Sequence, residues 1–243
     1  MSEFYVGYLP QAPPGLARSV RRIVLGLVAA SVLTALVLVF WQARFPASTF
    51  EFQQYRDFEG TLREHPYPNL AVAPAMPGYL LVAPGKHGAT ELVAGFDGRA
   101  VRLKGSLIYR DGARMLELVP HSVRASGNSP VPAPHAIDLG MTTLSGEIVD
   151  SKCYLGVMNP GNGKVHRDCA VRCISGGIPP VFVVKDAEGV SRTLLLSGSG
   201  GLPISRAVLD FVAEPVVVSG RLSRSGDTLI LESDPGSIHR VNK

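Results

Sequence analysis

Nineteen consecutive uncharged residues, Ile23 to Trp41 (IVLGLVAASVLTALVLVFW), constrain this chain more than any other feature. A helix needs about 20 apolar residues to cross a bilayer core, whereas a cleavable leader carries an apolar core of about 7 to 15. The run exceeds the leader length and no small-residue A-x-A site follows it, which favours an uncleaved anchor over a removed leader. Arg18, Arg21 and Arg22 stand directly before the run, while Arg44 and Arg56 after it are offset by Glu51, Asp57 and Glu59. Arginines beside a span stay cytoplasmic. The expectation is therefore a single-pass cell-membrane protein with residues 1–22 as a cytoplasmic tail and 23–41 as the span. The bulk would lie outside the cytoplasm, on the periplasmic side. Phe40 and Trp41 would sit at the outer interface, and membrane lipid is the first partner.

The rest of the 243 residues suffices for one large domain or two small ones of about 100 residues. A Pro-rich stretch, HSVRASGNSPVPAPHAIDLG (121–140), has the composition of extended surface chain. It suggests a first domain over 42–123, a linker over 124–140 and a second domain over 141–243. In the second domain, LSGEIVD (144–150), VFVVKD (181–186), RTLLLS (192–197), PVVVSGRL (215–222) and TLILES (228–233) have the branched apolar content of strands. Turns are expected at Asp186–Gly189 and at Ser225, Gly226 and Asp227. Ile204, Ala207, Val208 and Phe211 fall at helical spacing after Pro203, predicting a helix over 204–212.

Three strands, a helix and two strands is the order of a five-stranded OB-type barrel. The first domain reads as a reduced copy. Phe58-Glu59-Gly60-Thr61-Leu62 matches Leu144-Ser145-Gly146-Glu147-Ile148, and VRLKGSLIYRDGARMLEL (101–118) matches VVVSGRLSRSGDTLILE (216–232). Gly105 and Gly220 coincide, where a small barrel needs a sharp bend. Pro120 to Val123 likewise matches Pro235 to Ile238. The fold class expected is thus mainly β: an N-terminal transmembrane helix followed by two small OB-like β-barrel domains, an internal duplication.

OB barrels often bind single strands by stacking bases on aromatics. Aromatics make up 7% of this chain, its net charge is +4 without any block of like charges, and the bulk is expected outside the cytoplasm. Nucleic acid is therefore not an expected partner.

The chemistry-bearing segment is DSKCYLGVMNPGNGKVHRDCAVRCISGGIPP (150–180). Three cysteines cannot all pair within one exported domain, so one stays free, bridges to another chain or binds a metal. If KVHRDCAVRCI is helical, His166, Cys169 and Cys173 fall within an arc of roughly 60°. The Asn159-Pro160-Gly161-Asn162-Gly163 loop is long enough to return Cys153 to them. Three thiolates and one imidazole form a known tetrahedral zinc set, and soft sulfur also suits Cu(I) or an iron–sulfur unit. Cys153, His166, Cys169 and Cys173 are the candidate metal ligands, with zinc first and copper or iron–sulfur next. Two alternatives stand beside this. Cys153 can pair with Cys169 or Cys173 as a disulfide, leaving one buried thiol. A helix N-terminus with Lys164, Arg167 and Arg172 nearby can also activate a thiol. Met158 is a further soft donor or a packing residue. Asp150 and Asp168 are candidates to orient His166.

The run from Gly146 to Val184 resembles a group of uncharacterised exported OB-like proteins. That group shares a pattern of Cys, then His-x-x-Cys-Ala-x-x-x-Cys or a near variant, then Gly-x-Pro before a strand; the residues that carry the resemblance here are Asp150, Cys153, His166-Arg167-Asp168-Cys169-Ala170-Val171-Arg172-Cys173 and Gly177-Ile178-Pro179. The resemblance covers roughly the last 100 residues. It implies the barrel fold and a role for the Cys/His cluster, and supplies no reaction.

His65, His87, His121, His135 and His239 are scattered without ligand spacing. No G-x-S-x-G, P-loop or HExxH occurs, and no carboxylate pair suggests acid–base work, so no catalytic residue is assigned. The glycine-rich PGKHGAT (84–90) and SGSGG (197–201) read as turns after apolar strands. The functional expectation is an anchored, non-catalytic module with a Cys/His metal loop, an accessory subunit of a membrane respiratory or redox complex. The alternative is redox activity or metal delivery through Cys153, Cys169 and Cys173.

Overall fold

The structure is a computed structural model that describes residues 12–42, 48–72, 78–132 and 135–241. Most of the expected tail (residues 1–11), Arg44 and two residues of the expected linker (133–134) lie outside the described residues. The chain separates into two units, residues 1–46 and 47–243.

In the first unit, one helix, α1 (Pro14–Gln42), spans 29 residues. Its opening proline lacks only an N–H that a helix start leaves unbonded anyway. α1 therefore begins before the apolar run, and Arg18, Arg21 and Arg22 lie on its first turns rather than in an unfolded tail. None of its residues is buried, its best window has a mean hydropathy of 2.8, and it is long and apolar enough to cross a membrane.

The second unit is built almost wholly from strands. Its first half contains β1 (Ser48–Phe50), β2 (Arg56–Arg63), β3 (Asn69–Ala71), β4 (Tyr79–Val82), the one-turn helix α2 (Thr90–Val93), β5 (Ala100–Arg110), β6 (Ala113–Leu118) and β7 (Arg124–Ala125). Its second half contains β8 (Ala136–Asp150), α3 (Arg167–Ser175), β9 (Pro180–Lys185), β10 (Ser191–Ser197), β11 (Pro215–Ser225), β12 (Thr228–Glu232) and β13 (Ile238–Arg240). β8 starts at Ala136, so the end of the stretch expected as linker is already strand.

The first sheet runs β5-β2-β3-β4-β6 and closes through β5–β6; the second runs β11-β8-β9-β10-β12 and closes through β11–β12. In both, the third and fifth barrel strands pair in parallel, β4 with β6 and β10 with β12. This is the OB strand order, twice. The repeat extends to single residues. Gly60 pairs with Val101 as Gly146 pairs with Val216. A Cβ on Gly60 would lie 2.4 Å from the Ala71 carbonyl oxygen, and one on Gly146 would lie 2.3 Å from that of Val183. Gly105 and Gly220 press on the Glu117 and Glu232 carbonyls in the same way. The two Pro-x-Ser tails also behave alike. Ser122 Oγ donates to the Lys104 carbonyl at 3.2 Å, and Ser237 Oγ to the Ser219 carbonyl at 2.7 Å.

The helix expected over 204–212 is absent. Tight turns lead into a single 3-10 turn, Leu209–Phe211. Bonds of the i to i+3 kind, from Ala207 N to Ile204 O and from Phe211 N to Val208 O, replace the α-helical ladder. Ile204, Val208 and Val212 are buried, and Val212 bridges to Ile148. The helical spacing thus arose from successive turns dipping apolar residues into the barrel.

Each barrel has its own core. Leu62, Leu81, Val101, Leu103 and Leu116 fill the first, and Ile148, Phe182, Leu194, Val216 and Leu231 fill the second. A third cluster joins the barrels. It draws Val82, Ile108 and Met115 from outward positions of the first barrel and Val149, Val181 and Leu195 from the second. The strands facing this junction are buried on both sides, which explains runs such as Leu-Leu-Val (80–82) and Leu-Leu-Leu (194–196) where alternation would otherwise appear.

Gly146→Ala should lower the unfolding midpoint of the full chain, by about 1–3 kcal/mol for an overpacked backbone contact. Gly127→Ala, with open space around its Cβ position, should stay within about 0.5 kcal/mol. Thermal unfolding followed by circular dichroism reads both.

Candidate metal centre

Between the first two strands of the first barrel lies a short loop, residues 64–68. The corresponding connection in the second barrel, residues 151–179, is an insertion that carries the whole Cys/His cluster. It opens with a π-helical turn, Cys153–Val157, continues through a 3-10 turn, Lys164–His166, and ends in α3. π-Turns are rare and concentrate at functional positions. The expected helix over KVHRDCAVRCI is therefore split, with His166 on the 3-10 turn and Cys169 and Cys173 one turn apart on α3.

The insertion is pinned by polar contacts from the first barrel. Arg110, buried at the end of β5, donates to the Pro160 carbonyl at 3.0 Å and to Asn159 Oδ1 at 3.1 Å. Its guanidinium stacks 4.4 Å over the Tyr154 ring. Lys152, next to Cys153, is buried; its ammonium donates to the Ala83 carbonyl at 2.9 Å and the Gly85 carbonyl at 2.7 Å, and pairs with Glu117. Beyond α3, the Gly176 carbonyl accepts from Gly88 N at 2.9 Å. The 83–88 loop is thus held on both sides of the cysteines.

Within this frame three of the expected residues form one group, and the fourth, Cys173, falls in a second group that shares Cys153. Donor atoms of Cys153, His166 and Cys169 all lie within 4.8 Å of one another, and so do those of Asp150, Cys153 and Cys173. Cys153 belongs to both sets. The cysteines are unpaired, with Sγ of Cys153 and Cys169 4.0 Å apart. That is about twice a disulfide bond. It is close to the roughly 3.8 Å edge of a tetrahedron with metal–sulfur bonds of about 2.3 Å. The donor set suits a soft or borderline cation.

Asp150 organises the cluster. Fully buried, it accepts from Cys153 N at 2.8 Å through Oδ1, and its Oδ2 lies 3.1 Å from His166 Nε2. With the proton on Nε2, His166 keeps Nδ1 as a lone-pair donor, the carboxylate–imidazole arrangement that orients metal-bound histidines. Asp168 is exposed and Met158 is 47% exposed. The Cys153 thiol is pushed well above its usual range, chiefly by its hydrogen bond with Cys173, then by burial and the Asp150 carboxylate. Cys173 is lowered by that same hydrogen bond.

Sequence reasoning looked to Lys164, Arg167 and Arg172 and missed Lys86. Arg167 pairs with Glu214 at 2.8 Å, and Lys164 and Arg172 are exposed. Among the described residues, the cation that reaches a cysteine is Lys86, whose Nζ lies 3.0 Å from Cys169 Sγ. Its own pKa is raised, first by this hydrogen bond. Lys86 sits in PGKHGAT, and its place directly after an apolar strand was the available signal.

Removing one partner of a buried ion pair leaves the other charge uncompensated. Lys152→Met should therefore destabilise the full chain by about 3–5 kcal/mol, read by chemical denaturation, while Lys185→Met, on an exposed strand end, should be near neutral. No family model, curated protein or solved structure matches this chain.

Proposed function

We propose that this protein is a single-span membrane protein whose double barrel stands outside the cytoplasm and holds a soft metal ion through Cys153, His166, Cys169 and Cys173. The observation that carries this reading is the convergence of sulfur and imidazole donors within 4.8 Å, beside a buried carboxylate on His166. The metal would tie the insertion of the second barrel to itself at the surface where it meets the first. Helix α1, about 43 Å long at 1.5 Å per residue, exceeds the roughly 30 Å bilayer core. Its arginines, gathered at the N-terminal end, favour an inward N-terminus. With no catalytic constellation recognised in the sequence, the role that fits is an accessory subunit of a membrane respiratory or redox complex.

The full chain, purified in mild detergent from an exporting host without added metal or chelator, should contain about one zinc or copper ion. Cys153→Ser and Cys169→Ser should each lose most of it. Metal-free protein with a single reactive thiol would instead mean a disulfide-stapled barrel and would sink the metal reading. A C-terminal reporter active only outside the cytoplasm tests the orientation. Co-purification with a membrane complex is expected for the accessory role, and a monomer under the same conditions would overturn it.

A further inference from the structure

The four candidate ligands are unequally exposed. Cys153 is 4% exposed, Cys173 1% and His166 5%, whereas Cys169 is only half-buried. The exposed side chain of Lys86 reaches over to it from the first barrel. The backbone beneath Lys86 is fixed: the Ala83 and Gly85 carbonyls are held by Lys152, and Gly88 N by Gly176. Only the lysine side chain is therefore free to leave. Structural metal sites are closed, with every ligand built into the fold. This one has three buried ligands and one at the surface under a removable cation.

We propose that the cluster is an exchange site for a soft cation, with Cys169 as its entry and exit ligand and Lys86 as the gate. The proposal rests on the metal-binding reading above and deepens it. In the metal-free chain the ammonium occupies the outer side of Cys169 Sγ. A metal bonded to that sulfur at about 2.3 Å would lie within about 5.3 Å of an ammonium 3.0 Å from the same atom, and the two positive charges repel. Uptake therefore moves Lys86 into solvent. Release begins as an acceptor thiolate bonds the metal and the Cys169–metal bond breaks; further acceptor thiolates then replace the bonds to Cys153, Cys173 and His166, the freed buried thiolates take protons from solvent, and the Lys86 ammonium returns to Cys169 Sγ. No electrons are transferred. The acceptor is a thiolate on a small molecule or partner protein, and the cargo is a d10 ion such as Cu(I), which thiolate ligands favour.

The test uses the full chain in detergent, loaded separately with Cu(I) and with Zn(II), with metal content measured first. Transfer to glutathione is then followed for the wild type, Lys86→Met and the remote control Lys185→Met. The wild type should release Cu(I) readily. Lys86→Met should release it about three- to tenfold more slowly, because no cation re-forms the contact, which at an exposed side chain has about the net strength of an ordinary hydrogen bond. Lys185→Met should match the wild type. Acylation of Lys86 by an amine reagent, mapped by mass spectrometry, should rise severalfold on metal loading while Lys185 labelling stays constant. Unchanged Lys86 labelling, or equal release from Lys86→Met and wild type, overturns the gate. Stoichiometric metal that glutathione cannot remove overturns exchange while leaving the metal-binding reading intact. Absence of bound metal overturns both.

Discussion

The architecture of the second unit depends on one buried ammonium. Lys152 leaves the second barrel just before Cys153 and enters the first, where two carbonyls and the Glu117 carboxylate receive it. A buried charge of this kind is tolerated only when its partners stay in place. Its partners lie on the loop after β4 and on β6, so the two barrels must be in register before the lysine is satisfied. Once they are, the neighbouring Cys153 has a fixed position, and the Arg110 contacts with the 159–160 turn fix the far end of the same insertion. Apolar burial across the junction supplies bulk attraction, and these two cations supply its geometry.

Much of the fold was legible in the sequence because barrels leave local marks. Strand alternation, the Asp186–Gly189 and Gly226 turns and the matched glycines Gly60/Gly146 and Gly105/Gly220 all report on backbone geometry within one barrel. Two features were not legible. The 204–212 helix failed because periodic apolar residues record burial rather than hydrogen bonding, and successive turns can produce the same period. The fusion of the barrels was also overlooked. Its mark was present in runs such as 80–82 and 194–196, where apolar residues follow one another without alternation, as they must in strands buried on both faces.

The cluster followed the same division. His166, Cys169 and Cys173 were grouped by their short spacing, and Cys153 by a loop long enough to return it to them. Asp150 was readable as a candidate to orient His166, but not as the group that also holds the Cys153 amide. Lys86 could be placed in a turn after an apolar strand but not at the cysteines, since it comes from the other repeat and its approach depends on how the barrels dock. The nearby basic residues Lys164, Arg167 and Arg172 drew attention by proximity in sequence, yet proximity along the chain does not specify direction.

The insertion at 151–179 also changes what the repeat means. A duplicated domain is ordinarily a spare, free to drift while its twin keeps working. Here the first copy has become the housing of the second. Scission between them would leave one half with a naked ammonium and the other with carbonyls and a carboxylate facing nothing, so neither half retains an intact interior. The pair is the smallest heritable piece, and a change in the 83–88 loop is a change to the cysteines even though no cysteine has been touched.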